Sequence, residues 1–140
     1  MIMAALGRTI LRSHVSFFAV CVPLLVRLPL KWLLGMVEPP RWFRPYRACS
    51  VIQIQALVDA RLASPAMMKR RKCLRHGLVL YHFLRLAGYN AQLHFGVFPP
   101  ADGAARLHGH CWVSLDGRPI SLPPEQGAAT MHIRNSLKSE

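Results

Sequence analysis

The sequence predicts an α+β domain, and three observations carry that prediction. Cys73 heads a strongly apolar helical segment that stops at Gly88; two strand-like runs follow; and the second of them opens on His110. With 140 residues the chain has room for one such core and a short appended segment. Composition divides it into an apolar, basic N-terminal helical segment and linker (1–48), a folded domain (49–125) and a tail (126–140).

The N-terminal segment contains the apolar run Val15 to Val26, which stops at Arg27. Twelve residues of helix at ~1.5 Å each reach about 18 Å, short of a ~30 Å hydrocarbon core. Extension to Leu34 would bury Arg27 and Lys31, at roughly 2.5–3.5 kcal/mol for each charge near a helix centre, and Pro23 and Pro29 would bend it. No small-residue cleavage site follows the run, as an export signal would require. The expected structure is therefore a pair of short helices, packed on the domain or lying at a membrane interface. Glu38-Pro39-Pro40-Arg41-Trp42-Phe43-Arg44-Pro45-Tyr46 reads as a linker, because proline lacks the amide donor and biases its predecessor to extended geometry.

From Ser50 to Leu62, apolar Val51, Ile54, Leu57, Val58 and Leu62 recur at helical spacing, and Ser64-Pro65 follows. The next helix begins around Cys73, with Leu74, Leu78, Tyr81, Leu84 and Leu86 on its apolar face and Gly88 as the C′ residue. Ala91 to Phe98 is short, aromatic and branched, hence a strand. Pro99 to Leu107 is a polar, glycine-containing loop, His110 to Leu115 a second strand, and Asp116-Gly117 a turn leading to Pro119-Ile120-Ser121-Leu122.

Hydrophobic content of 52% excludes a disordered chain. Eighteen Lys and Arg against six Asp and Glu give +12, an excess that attracts anionic partners of any kind. The cations are dispersed apart from Lys69-Arg70-Arg71-Lys72 and lack aromatic interleaving, so nucleic acid is not an expected partner. Cys21, Cys49, Cys73 and Cys111 form no CxxC pair and no disulfide framework, which fits a reducing cytoplasm, with or without membrane association. His108 and His110 would share a strand face, and His94, Cys73 and Cys111 are further metal donors. No third ligand stands at a diagnostic spacing, so neither a metal nor another cofactor is expected.

A thiol in the first turn of a helix is activated there. The reactive species is the thiolate, and the unpaired N–H groups and partial positive charge of a helix N-terminus stabilise it. The same donors would receive the oxyanion of a tetrahedral intermediate, and His110 would act as base toward Cys73. Papain-like and transglutaminase-like folds build a nucleophile in this way.

The spacings from Cys73 to Leu80, Tyr81, Leu84, Arg85 and Gly88 carry a more specific likeness. With Ala91-x-Leu93-x-x-Gly96-Val97 and His110-x-Trp112-Val113-x-Leu115-Asp116-Gly117-x-Pro119, they make the chain resemble the transglutaminase-like B-type leader peptidases of lasso-peptide biosynthesis. The likeness covers residues 73 to 120. It implies that 49–125 is a transglutaminase-like cysteine protease domain, with Cys73 as nucleophile and His110 as base. It also implies removal of the leader from a ribosomally made precursor, delivery by a leader-recognition protein, and a lasso cyclase as partner.

One departure stands out. The family's third catalytic residue is an Asp twelve positions beyond the His, and here that position is Leu122. A three-residue hairpin loop at Leu115-Asp116-Gly117 would place residue 122 opposite His110. Asp116 lies six extended residues, about 20 Å, from His110 and reads as a turn residue. Glu125 becomes a candidate if the chain folds back after Pro123-Pro124, and Ser121 only through a bulge, so the third member is unassigned. His76 and His82 read as surface or packing positions, and Trp112 as a core residue beneath the His strand. Cys111 points away from His110 and is expected to be inert, while Cys21 and Cys49 read as structural. The missing acid leaves two rivals: a non-catalytic scaffold in a peptide-maturation complex, and a membrane-associated protein of unrelated role.

Overall fold

The computed structural model describes residues 2–63, 72–98, 108–121 and 129–134 of the chain. Among these residues four helices, α1 (Ile2–Leu25), α2 (Leu30–Val37), α3 (Val51–Leu62) and α4 (Lys72–Leu86), precede four strands. The strands are β1 (Ala91–Phe98), β2 (His108–Leu115), β3 (Arg118–Pro119) and β4 (Ala129–Arg134), in the order β3-β2-β1-β4 with every pairing antiparallel. The expected α+β class is the observed one.

The ends of α3 and α4 follow local rules. Ser50 and Gln53 form a reciprocal capping box at the start of α3, which buries Ile54, Val58 and Leu62 as the periodicity requires. Helix α4 stops at Gly88, whose φ of +88° is one that side chains resist. Gly88 N–H donates to the Arg85 carbonyl and Tyr89 N–H to the Leu84 carbonyl, the two bonds of a Schellman motif.

From Leu78 to Ala87 every residue of α4 and its C-cap is buried. The helix earns that burial by lying between two layers, with α1 and α3 on one side and β1 and β2 on the other. One continuous core results, running from Leu11, Val15 and Val22 of α1 through Phe83 and Leu84 to Leu93 and Val113 of the sheet.

The N-terminal segment differs from the expected pair of short helices. Helix α1 has 24 residues, about 36 Å, because Ile2 to His14 continue the helix upstream of the apolar run. Its Ala5–Leu25 portion is long and apolar enough to cross a membrane by length and composition. The short helix α2 follows Pro29, and the proline-rich linker after it is tied to α4. The Tyr81 hydroxyl donates to the Glu38 carboxylate, and the Arg85 guanidinium lies 3.5 Å from it.

Where α1 meets α4, aromatic rings interlock. Phe83 packs edge-on to His14 and Phe18, with ring centroids at 5.0 and 5.8 Å, and Phe18 stacks flat on His82 at 4.3 Å. His82 Nδ1 bonds the Val37 carbonyl at 2.6 Å and therefore carries the proton. His14 Nδ1 and the Tyr46 hydroxyl are 2.8 Å apart.

Burial holds His82 below the ordinary histidine range, against the opposing pull of the Val37 carbonyl and Glu38, and burial also lowers His14. The unfolded chain therefore takes up protons first as pH falls through about 6.5, so stability is full above that pH and declines below it. Thermal unfolding should show a lower midpoint at about pH 5.5 than at about pH 7.5, and His82→Gln should flatten that dependence.

At the other end of the chain, the segment expected as a tail carries β4, which covers the free edge of β1. Its pairing register shifts between Phe95 and Gly96.

Candidate active site

Cys73 is the second residue of α4, half-buried, so its thiol sits where the first amides of a helix have no carbonyl partner. The sheet approaches this end of α4 through β1 and β2. A cavity of about 460 Å³ opens between them, bordered by Cys73 and Leu74 of α4, Phe95 and Gly96 of β1, and Gly109, His110 and Cys111 of β2. Leu30 of α2 closes another part of its wall. Cys73 and His110 thus border one cavity.

The alternation of β2 decides which of its side chains lie under α4. Cys111 does: a Cβ placed on Gly77, one turn along α4 from Cys73, would stand 2.8 Å from the Cys111 sulfur. His110 belongs to the other face, with its strand neighbour Trp112 and the cross-strand His94. There the His110 and Trp112 rings stack at 5.8 Å, and Trp112 and His94 at 5.2 Å. The His94 Nε2 is 2.6 Å from the Ser114 hydroxyl, and burial lowers the pKa of His94. His110, its cross-strand partner Gly96 and its neighbour Gly109 are nevertheless among the residues that border the cavity.

Cys111 is chemically quiet. Burial first, and the neighbouring Cys73 second, push its thiol far above the ordinary range and keep it protonated. Its sulfur also explains Gly77, since a methyl group there would collide with it. Gly77→Ala should therefore destabilise the protein by about 1–2 kcal/mol, despite alanine's better helix propensity. Adding Cys111→Ala should recover much of that loss in a double-mutant cycle read by denaturant unfolding.

The third position takes a different form from the expected one. Asp116 and Gly117 have φ of +51° and +81°, and Leu115 pairs with Arg118, so the loop has two residues rather than three. Asp-Gly suits that turn because both central positions need positive φ. The observed register, extended, would set residue 123 rather than 122 opposite His110. Regular pairing ends at Pro119, and the Ser121 hydroxyl accepts a bond from the Val113 amide at 2.8 Å. Ser121 is thus engaged away from His110, and Asp116 is an exposed turn residue, as its position in the sequence indicates. Leu122 and Glu125 lie outside the described residues, as does the Pro99 to Leu107 loop.

Among the described residues, no three His, Cys, Asp or Glu side chains gather closely enough to hold a metal ion. His76 pairs with Asp59 of α3 at 2.6 Å, and His82 is packed in the α1–α4 junction. Leu30, Gly96 and Gly109 were not anticipated as cavity residues. Gly109 beside the strand histidine was the available signal; Gly96 joins it only through cross-strand pairing, and nothing in the sequence pointed to Leu30.

Cys73 on a helix and His110 on a strand border one cavity, in an α+β frame with an antiparallel sheet. The chain belongs to the Transglutaminase-like superfamily, whose sequence profile matches residues 18–133, and that superfamily includes cysteine proteases. The match runs through most of the described fold, from within α1 to β4. Comparison with curated proteins and with solved structures gave no match.

Proposed function

We propose that this chain is a cysteine peptidase that removes the leader of a ribosomally synthesised, lasso-type precursor through a thioester acyl-enzyme. The observation that carries the reading is the shared cavity of Cys73 and His110 in a member of this superfamily. His110 withdraws the thiol proton, and the Cys73 thiolate attacks the scissile carbonyl. The first amides of α4 steady the oxyanion, and His110 returns the proton to the leaving amine. Water, activated by the same imidazole, then hydrolyses the thioester. A leader-recognition protein presents the precursor, and a lasso cyclase takes up the released core.

The test is reconstitution with the co-encoded precursor and recognition protein, with products read by mass. Cleavage at the leader–core junction that depends on Cys73 supports the reading.

The alternation of β2, which roots His110 on the face away from α4, and the leucine at 122 favour a second reading. In it the domain is a non-catalytic scaffold of a maturation complex. Leader removal in the reconstituted system that is indifferent to Cys73→Ala points to that scaffold.

A further inference from the structure

We propose that the outer face of α1, with α2 and the Trp42-Phe43 segment, is a docking surface for an anionic lipid bilayer, on which the domain lies without spanning it. The proposal is independent of the chemistry assigned to Cys73.

Helix α1 is apolar on two opposite sides. Leu11, Val15, Ala19 and Val22, each about 1% exposed, form the stripe that packs into the core. Leu6, Ile10, Phe17, Val20 and Leu24 form the other and are 52–70% exposed. At 100° per residue the two stripes are roughly 180° apart, so the second faces directly away from the domain. The exposed surface continues beyond α1. Trp32 and Met36 on one side of α2 are 67% and 55% exposed, and Trp42 is 82% exposed. Eleven of the twelve exposed large apolar side chains among the described residues fall between Leu6 and Phe43. Soluble monomers rarely leave so large an apolar area to water.

Charge selects the occupant. Seven Lys and Arg from Arg8 to Arg47 are exposed in this segment, against one acid, Glu38. Arg8 and Arg12 fall on the core side of α1, while Arg27 and Lys31 stand among the exposed Leu24, Leu28, Leu30 and Trp32. Glu38 is already engaged by Tyr81 and Arg85 of the domain. Exposed aliphatic and aromatic side chains, two tryptophans and an excess of exposed cations over acids are the composition of an interfacial helix on anionic headgroups. Spanning is disfavoured by the inner stripe: α1 could cross a bilayer only by leaving α3 and α4 and stripping the core of one wall. Leu30 belongs to both the exposed surface and the cavity wall, so docking brings the cavity beside the membrane plane.

The experiment is flotation of the full chain with vesicles of phosphatidylcholine mixed with phosphatidylglycerol, and with phosphatidylcholine alone. Binding to the mixed vesicles only is expected, with a blue shift of tryptophan emission and release by alkaline carbonate. Arg27→Gln and Lys31→Gln should each lower partitioning about fivefold. Phe17→Ser combined with Leu24→Ser should abolish flotation without moving the thermal midpoint, because both side chains are exposed. Equal binding to neutral vesicles would overturn the charge argument, and retention in carbonate would overturn the in-plane placement. Failure to bind either vesicle, including the case in which the same residues hold a dimer together, would overturn the proposal.

Discussion

Replacing Cys73 with alanine is expected to lower precursor cleavage by about 10⁴-fold or more, because removal of the nucleophile leaves only binding and oxyanion stabilisation. The substitution is well suited to the question. Cys73 is half-buried in the first turn of α4 and borders the cavity, so a smaller side chain removes little packing. Alanine is also a good helix former, and the variant should unfold within about 1 kcal/mol of the parent. Cys111→Ala is the matching control, since its buried, protonated thiol packs against Gly77 and takes no part in the proposed chemistry. Activity in Cys111→Ala with none in Cys73→Ala, measured by product mass, assigns the reaction to one sulfur. The reverse would move the nucleophile to the strand.

Phe83→Ala is expected to be the most destabilising single change, at about 3–5 kcal/mol in denaturant unfolding. Phe83 is fully buried, and its ring meets His14 and Phe18 of α1, Tyr46 of the linker and His82 of its own helix. Few residues touch so many separate elements. The cavity would open where α1 and the linker join α4, and the edge-to-face contacts would be lost with the ring. Phe83→Leu retains most of the volume and should cost less than half as much. Comparable losses for the two variants would show that the junction is not organised around this ring.

The sequence was most legible where local chemistry and burial agree. Gly88 marks the end of α4 because only a residue without a side chain takes its positive φ freely, and Ser50 with Gln53 marks the start of α3. Strand β1 has the bounds its composition indicates. Two features were hidden for physical reasons. The length of α1 follows from a helix whose opposite sides are both apolar, a pattern that obscures which side is packed. Strand β4 is a short run whose place depends on pairing with β1, a tertiary choice that local pattern does not encode. At the candidate site, the placement of Cys73 at the head of a helix and of His110 on a strand was readable from type and spacing. The facing of His110 was not, because it depends on which side of β2 lies under α4, and Cys111 against Gly77 decides that. The two-residue turn at Asp116-Gly117 likewise pairs Leu115 with Arg118, one position away from the register that a three-residue loop would give.

Whether His110 activates Cys73 is measured, without any substrate, by the rate of thiol alkylation at neutral pH. Modification of each cysteine by iodoacetamide, followed by peptide mass, should show Cys73 reacting at least about tenfold faster than Cys21 and Cys49, with Cys111 protected. His110→Ala should bring Cys73 down to their rate. A Cys73 rate equal to that of the other half-buried thiols, and unchanged in His110→Ala, would contradict the pairing and leave the superfamily fold without its proposed chemistry.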